Sequence, residues 1–343
     1  MSDSQLDLYG RTAAELAVVD VGPVPPPAAL DTETLRGWLD GLPAALRSGR
    51  SATTWRAYAT DLAHFAAWCG AEGRTALPAE ADTVVGYLLA HSEELSLATL
   101  QRRLAAVSVA HRLLGHPSPT ATERVRLTWA GIRRTLGPVA RRRRVEAIDT
   151  PVLSTLVAPL GDSVLDHRDR ALLVMGFAGA LRRSELSGLD AEDVDVQPDG
   201  LHVHVPGLPS EETGHGRTVV LPHGSRRATC PVRSWQAWVQ VSGVRSGPAF
   251  LAVTKGGRSL RQQRLTGQAI ARMIKRRVLD VGLDPDAFSG HSLRAGFATA
   301  AAGAGLPDRS IRRQTGHRSS LALEACIRGP APVLDNPAAY VGL

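Results

Sequence analysis

The sequence predicts two domains, one all-helical and one mainly helical with a small antiparallel β-sheet. Apolar residues recur at spacings of three and four over most of the chain, the period of a one-sided helix. Strict apolar–polar alternation is confined to short runs, chiefly "LHVHV" at 201–205 and "RTVVLP" at 217–222, which read as two strands of a hairpin. Between the two patterned regions lies "GPVARRRRVEAIDT", which has no apolar period and reads as an interdomain linker over 138–149. A chain of 343 residues that is 43% hydrophobic has enough apolar material for two cores.

Residues 1–48 read as a proline-rich, partly flexible arm. "VGPVPPPAAL" will not hold a helix, and Thr32 or Thr34 would cap only a short one through "LRGWLDGLPAAL". Over 49–137 the pattern is that of a compact helical domain. Trp55, Tyr58, Leu62, Phe65 and Trp68 share one face of a first helix. "EADTVVGYLLAHSEEL" is a second helix. "SLATLQRRLAAVSVAHRLLG" is a third, capped by Ser96 and stopped at Gly115, and "SPTATERVRLTWAGIRRTLG" is a fourth. The second domain, 150–343, opens with helices in "TPVLSTLVAPL" and "LDHRDRALLVMGFAGAL". A further helix is expected through "RRSELSGLDAEDVDV", then the hairpin, then a helix in "CPVRSWQAWVQVSG" and a second short hairpin around "TKGG". Three more helices follow, in "TGQAIARMIKRRVLDVG", "GHSLRAGFATAAAGAG" and "PDRSIRRQTG".

Composition narrows the function. Net charge is +7, and of 40 basic residues only Lys255 and Lys275 are lysines. GC-rich coding accounts for much of the arginine excess. The net sign and the clustering point instead to an anionic polymer, because guanidinium groups pair with phosphates in planar, bidentate fashion. Candidate phosphate contacts are Arg102, Arg103, Arg133 and Arg134 on the helices, with Arg141, Arg142, Arg143 and Arg144 in the linker. No apolar run approaches the ~18 residues that span a membrane. The first residues lack a charged segment followed by an apolar one, and three scattered cysteines form no disulfide or metal pattern. A reducing cytoplasmic compartment, without metal or cofactor, is the expectation.

Three motifs carry chemistry, in this order: "ALRRSEL" with Arg182, "HSLRAGFAT" with His291 and Arg294, and "TGHRSS" with His317. Two arginines and two histidines converging on one point suit a phosphoryl group in transfer, neutralising its oxygens and moving a proton. Each motif alone is weak; the ordered set is strong.

In these motifs the chain resembles the tyrosine recombinase, or phage integrase, family, over roughly 51–343. "SATTWRAYATDLAHFAAWC" resembles the start of its helical core-binding domain. The resemblance implies a two-domain tyrosine-recombinase architecture, a helical core-binding domain plus an α+β catalytic-type domain, closing around double-stranded DNA. It also implies recombination or integration without metal or ATP, through a 3′-phosphotyrosyl link in an oligomer on DNA. Mobile genetic elements and nucleoid association in a bacterial-type cell come with it. Arg182 and Arg294 would hold the phosphate, His291 and His317 would assist with charge and protons, and Glu185 would orient Arg182.

Two family positions do not match. The nucleophilic tyrosine lies nine residues after the final histidine, and here that residue is Cys326. The family's hairpin lysine, which protonates the leaving oxygen, aligns with Pro209, and Lys255 stands in a later turn. Cys326 reads in two ways. A basic pocket lowers a thiol pKa from about 8.5, but sulfur reaches about 4 Å less far from the backbone than a tyrosine oxygen. The other reading is a small buried filler. Tyr340, 23 residues after His317, or a partner's tyrosine are further nucleophile candidates. The expected function is site-specific duplex binding with a degenerate, non-cleaving site, a pseudoenzyme acting as a homo- or hetero-oligomer, with an active recombinase or as a regulator. The alternative is an active recombinase using Cys326, Tyr340 or a partner's tyrosine.

Overall fold

The computed structural model of the chain describes residues 24–142, 145–206, 216–254 and 259–328. It separates into two compact units that divide between Arg143 and Arg144.

The first unit is all-helical: α1 (Thr32–Asp40), α2 (Ala44–Arg47), α3 (Ala52–Ala71), α4 (Ala81–His91), α5 (Leu97–Leu113) and α6 (Glu123–Arg142). The periodic face of α3 is buried as its spacing requires. Trp55, Tyr58, Leu62 and Phe65 are core, and Trp68 is half-buried. Ser96 caps α5, its Oγ accepting from the Thr99 amide at 3.1 Å. Two expectations are corrected here. Residues 24–48 are not a loose arm, because Leu35, Leu39 and Leu42 are at most 3% exposed in the same core. The cap of α1 is Asp31, not a threonine, its Oδ1 accepting from the amides of Glu33 and Thr34 at 2.9 Å. The fourth helix also outlasts its sequence signal. Gly137 and Pro138 do not stop α6, which runs to Arg142 and so takes up the start of the stretch read as an unstructured linker.

The second unit opens with α7 (Thr150–Val157), α8 (Val164–Ala178) and α9 (Arg183–Gly188). A three-stranded antiparallel sheet follows: β1 (Val194–Gln197), β2 (Gly200–Val205) and β3 (Arg217–Pro222), in the order β1-β2-β3. The helix expected through "DVDV" is thus a strand beyond Asp193, because it pairs with β2, Val194 opposite Val203. Leu201, Val203 and Val205 of β2 face inward together with Val219 and Leu221 of β3, the two-residue period of a half-buried sheet. Next come α10 (Pro231–Ser242), the two-stranded ladder β4 (Leu251–Val253) with β5 (Leu260–Arg264), α11 (Gly267–Asp280), α12 (Ser292–Gly303), α13 (Asp308–Thr315) and α14 (Ser320–Glu324). Trp235 and Trp238 of α10 sit in the core with the sheet and α8, and the Trp238 indole donates to the Ala249 carbonyl at 2.8 Å.

One close approach sets the floor of the site. At Gly296 of α12, an added Cβ would lie 1.8 Å from the Ile148 carbonyl oxygen. Only glycine lets the helix lie against 145–149, where the Ile148 amide donates to the Ser292 carbonyl at 2.9 Å.

Candidate active site

The three sequence motifs meet in the second unit. Arg182 is the N-cap of α9, and Glu185 on the first turn of that helix reaches back to it. Glu185 Oε2 accepts from the Arg182 amide at 2.7 Å, and its Oε1 accepts from Arg182 Nη1 at 2.6 Å. Glu185 also binds Arg217, the first residue of β3, through Nη1 at 2.8 Å and Nη2 at 3.1 Å. Burial alone would raise the Glu185 pKa. The hydrogen bonds and charge of Arg217, then those of Arg182, outweigh it and hold the carboxyl at about 2. Arg182 Nη2 further donates to the Gly316 carbonyl at 3.2 Å, which ties α9 to the turn that carries His317.

Arg294 lies on the first turn of α12 and is 1% exposed. Its Nη1 donates to the Ala180 carbonyl at 2.8 Å and also to the Thr315 carbonyl. Its Nη2 is buried and has no hydrogen-bond partner among the described residues. Burial, then the neighbouring Arg182, pulls its pKa down to about 10, so it stays charged at neutral pH. Ala180, with φ +46°, occupies the left-handed region that non-glycine residues seldom adopt. That bend ends α8 and offers the Ala180 carbonyl to Arg294.

His317 follows Gly316, whose φ of +69° terminates α13. Thr315 Oγ1 donates to the Ile311 carbonyl at 2.8 Å and lies 2.7 Å from His317 Nδ1. The hydroxyl and Nδ1 share one hydrogen bond, which orients the His317 ring. Burial, then Arg294 and Arg182, lowers the His317 pKa to about 4, so the ring is neutral at pH 7. His291 is the N-cap of α12 rather than a residue within it, so it shares the face of Arg294 from just outside the helix. Burial, then the Arg294 charge, lowers its pKa.

Cys326 stands two residues after α14. It is 3% exposed, packed with Ala295, Ala298, Ala301, Ile311 and Leu323. Its Sγ is 3.5 Å from His291 Nε2. Burial raises the thiol pKa against the lowering pull of Arg294, Arg328 and Arg182.

Arg182, Glu185, His291, Arg294, His317 and Cys326 are therefore brought into one cluster. Sequence reading missed Arg217 and Thr315. Arg217 had a usable signal: it is two residues before Val219 and four before Leu221, on the inward-facing register of β3, where a charge is out of place unless paired. Pro209, Lys255 and Tyr340 lie outside the described residues.

The predicted backbone-contact arginines divide. Arg102 is half-exposed yet bound to the buried Asp61 through Nε at 2.7 Å and Nη2 at 3.0 Å. Arg103 is used inside the first unit: its side chain is only 11% exposed, donates to Tyr87 Oη and lies 2.9 Å from His64 Nδ1. Arg133 and Arg134 are exposed on α6, Arg133 lying over the Trp129 ring. Arg141 and Arg142 extend the backbone of α6, their side chains outside the described residues, as are Arg143 and Arg144.

The phage integrase family model matches residues 147–324, and the family's N-terminal SAM-like domain matches residues 35–116. An integrase/recombinase xerD homolog of Selenomonas ruminantium is 33% identical over 282 residues, 80% of this chain and 81% of that protein. Recombinase cre of Escherichia phage P1 is 28% identical over 284 residues, covering 76% and 80%. Among solved structures, the XerH site-specific recombinase bound to its difH substrate before cleavage aligns with a TM-score of 0.57 at 14% identity, covering 91% of this chain and 84% of that one. A lambda integrase dimer on a core site aligns with a TM-score of 0.53 at 16% identity, covering 83% and 91%. At these identities the structural matches show the fold.

Proposed function

This chain belongs to the phage integrase family, and on that premise we propose that it binds duplex DNA site-specifically and grips one backbone phosphate without cutting it. It acts in a homo- or hetero-oligomer on DNA, as the non-cleaving partner of an active recombinase or as a regulatory binder. Relatives named as recombinases, and solved neighbours described as bound to a core site or to a difH substrate, support the duplex as ligand.

The observation that carries this reading is the mismatch inside one cluster. The oxyanion-holding groups are complete: Arg294 has a buried, unpartnered Nη2, and Arg182 is braced by Glu185 beside it. The group in the nucleophile's place is a thiol whose burial opposes ionisation and outweighs the pull of the neighbouring arginines. A Cys–His pair attacks only as thiolate. Here the thiol pKa is raised and the His291 pKa is lowered, so both shifts disfavour proton transfer between them. A phosphodiester seated on the arginines adds negative charge and disfavours the thiolate further. The packing of Cys326 in a cluster with five apolar residues suits a filler.

One observation favours the second reading, an active cysteine recombinase: the 3.5 Å approach of Cys326 Sγ to His291 Nε2. In that reaction an S–P bond forms and the P–O5′ bond breaks, and the leaving oxygen needs a proton. His317, neutral at pH 7, lacks the acidic second proton of an imidazolium that a general acid would give.

The test is a suicide-substrate assay on a nicked duplex carrying the chain's own site, found by selection from random duplexes. Tight, salt-sensitive binding with no covalent adduct on a denaturing gel supports the non-cleaving reading. An adduct lost in Cys326→Ala and kept in Tyr340→Phe establishes the cysteine reaction instead, and the reverse pattern establishes Tyr340. Arg294→Ala and Arg182→Ala should each weaken specific binding about tenfold, the worth of one charge-assisted bond.

A further inference from the structure

A cavity of about 520 Å³ opens between α8 and α10, lined by none of the residues of the arginine–histidine cluster. Arg170 and His167 line it from α8, Arg227 from the short turn 227–229, and Arg233, Ser234 and Gln240 from α10.

Three buried polar atoms of residues on this wall have no hydrogen-bond partner among the described residues: Ser234 Oγ, His167 Nδ1 and Arg170 Nε. Ser234 is only 3% exposed. Buried polar atoms are nearly always paired, and each exception calls for a cause. Three exceptions on one wall are a concentration, and packing does not require it: alanine fits the space of Ser234 without an orphaned hydroxyl. Arg170 is held in place, its Nη2 donating to the Leu160 carbonyl, so its Nε direction is set.

The charge balance has one sign. Arg170, Arg227 and Arg233 are opposed on the wall by Asp162 alone. Asp162 is 98% exposed and stands 3.9 Å from His167 Nε2. A solvated carboxylate does little to cancel three guanidinium groups around a concavity. A guanidinium Nε–H is donor-only and a serine hydroxyl is free to donate, so the wall asks for an acceptor-rich, anionic guest. Phosphoryl oxygens fit that demand. The volume exceeds that of a bare phosphate and falls within the range of roughly 300–1,000 Å³ typical of small-ligand sites.

We propose that this cavity binds a small phosphorylated organic anion of nucleotide size, at a site separate from the arginine cluster. A duplex backbone would be met by exposed side chains. Ser234 is 3% exposed and lines the cavity, so a duplex backbone running over the surface does not reach it.

The experiment uses calorimetric titration of the full chain with two probes, AMP and inorganic phosphate. The background variant is Arg182→Ala, which weakens phosphate capture at the other cluster. The expected result is one AMP bound per chain. The affinity should fall about tenfold in Ser234→Ala and by at least as much in Arg233→Gln, the scale of one lost hydrogen bond to a charged group. Arg233 is exposed on its helix, so its variant keeps the fold, and circular dichroism and the thermal midpoint verify this for both. AMP affinity unchanged in both variants overturns the proposal. So does the absence of AMP binding at millimolar concentration in a folded chain. A short random duplex is the third probe. If its affinity falls in Arg233→Gln while AMP does not bind, the cavity is a DNA contact and the small-ligand proposal is wrong.

Discussion

Replacing Glu185 with alanine is the perturbation whose cost follows most directly from the site. The carboxylate is 5% exposed at its side chain and joins Arg182 to Arg217. Its pKa of about 2, against the ordinary 4.5, corresponds to roughly 3 kcal/mol of folding free energy at ~1.4 kcal/mol per pH unit. Removing one partner of a buried ion pair costs about 3–5 kcal/mol on independent grounds. Arg182 and Arg217 are 35% and 23% exposed, so water takes over part of their solvation, and the lower end, about 3 kcal/mol, is expected. The assay is urea denaturation of the full chain at pH 7, with native-state hydrogen exchange at α9 and β3 amides to place the loss in the second unit. The acid limb gives a second readout. A depressed carboxylate pKa contributes stability that is fully present above pH 4.5 and is lost as pH falls toward about 2. The parent should lose stability across that window, and Glu185→Ala should lack that part of the slope. A loss below about 1 kcal/mol at pH 7, the scale of an exposed pair, together with an unchanged acid slope, refutes the bridging role.

Gly296→Ala should destabilise the second unit by about 3 kcal/mol or more, beyond ordinary overpacking, because the new methyl meets the backbone of Ile148 rather than a movable side chain. A thermal midpoint within error of the parent would contradict the close approach. The three cysteines are buried, and burial raises the Cys69 pKa to about 11. Thiol reagents at pH 8 should therefore label none of them rapidly in the folded chain and all three in urea; fast labelling of Cys326 alone would show a reactive thiolate. In the first unit, Asp61→Ala strands Arg102 and Arg103 and should cost about 2–3 kcal/mol, reduced from the full buried-pair value because Arg102 is 47% exposed. Exchange protection in α3 and α5 measures it, and unaltered protection would argue against the tie.

Much was legible in the sequence because the signals are local. The face of α3, the Ser96 cap, the β2–β3 pair and the glycine turn before His317 each follow from spacing, capping or φ preference within a few residues. The motifs themselves are local words, so Arg182, His291, Arg294 and His317 could be picked out one by one. The misses came where long-range contacts overrode local rules. Residues 24–48 looked like an arm because Pro25, Pro26 and Pro27 stand at its start, yet burying Leu35, Leu39 and Leu42 outweighs the cost of ordering the segment. "DVDV" is different: it carries the two-residue alternation of a strand, which the helix expectation passed over, and β2 pairs with it.

The sequence by itself determined the fold class, the family and the identity of the group in the tyrosine's place. Those depend on which residues occur in which order. Only the tertiary structure decided how the groups are charged and held. It set Arg217 against Glu185, left Arg294 Nη2 buried without a partner, and placed Cys326 Sγ 3.5 Å from His291. It also assigned Arg103 to an internal network rather than to the surface. Protonation and hydrogen bonding depend on burial and on neighbours more than a hundred residues away along the chain, such as Ala180 for Arg294. No spacing rule carries that information.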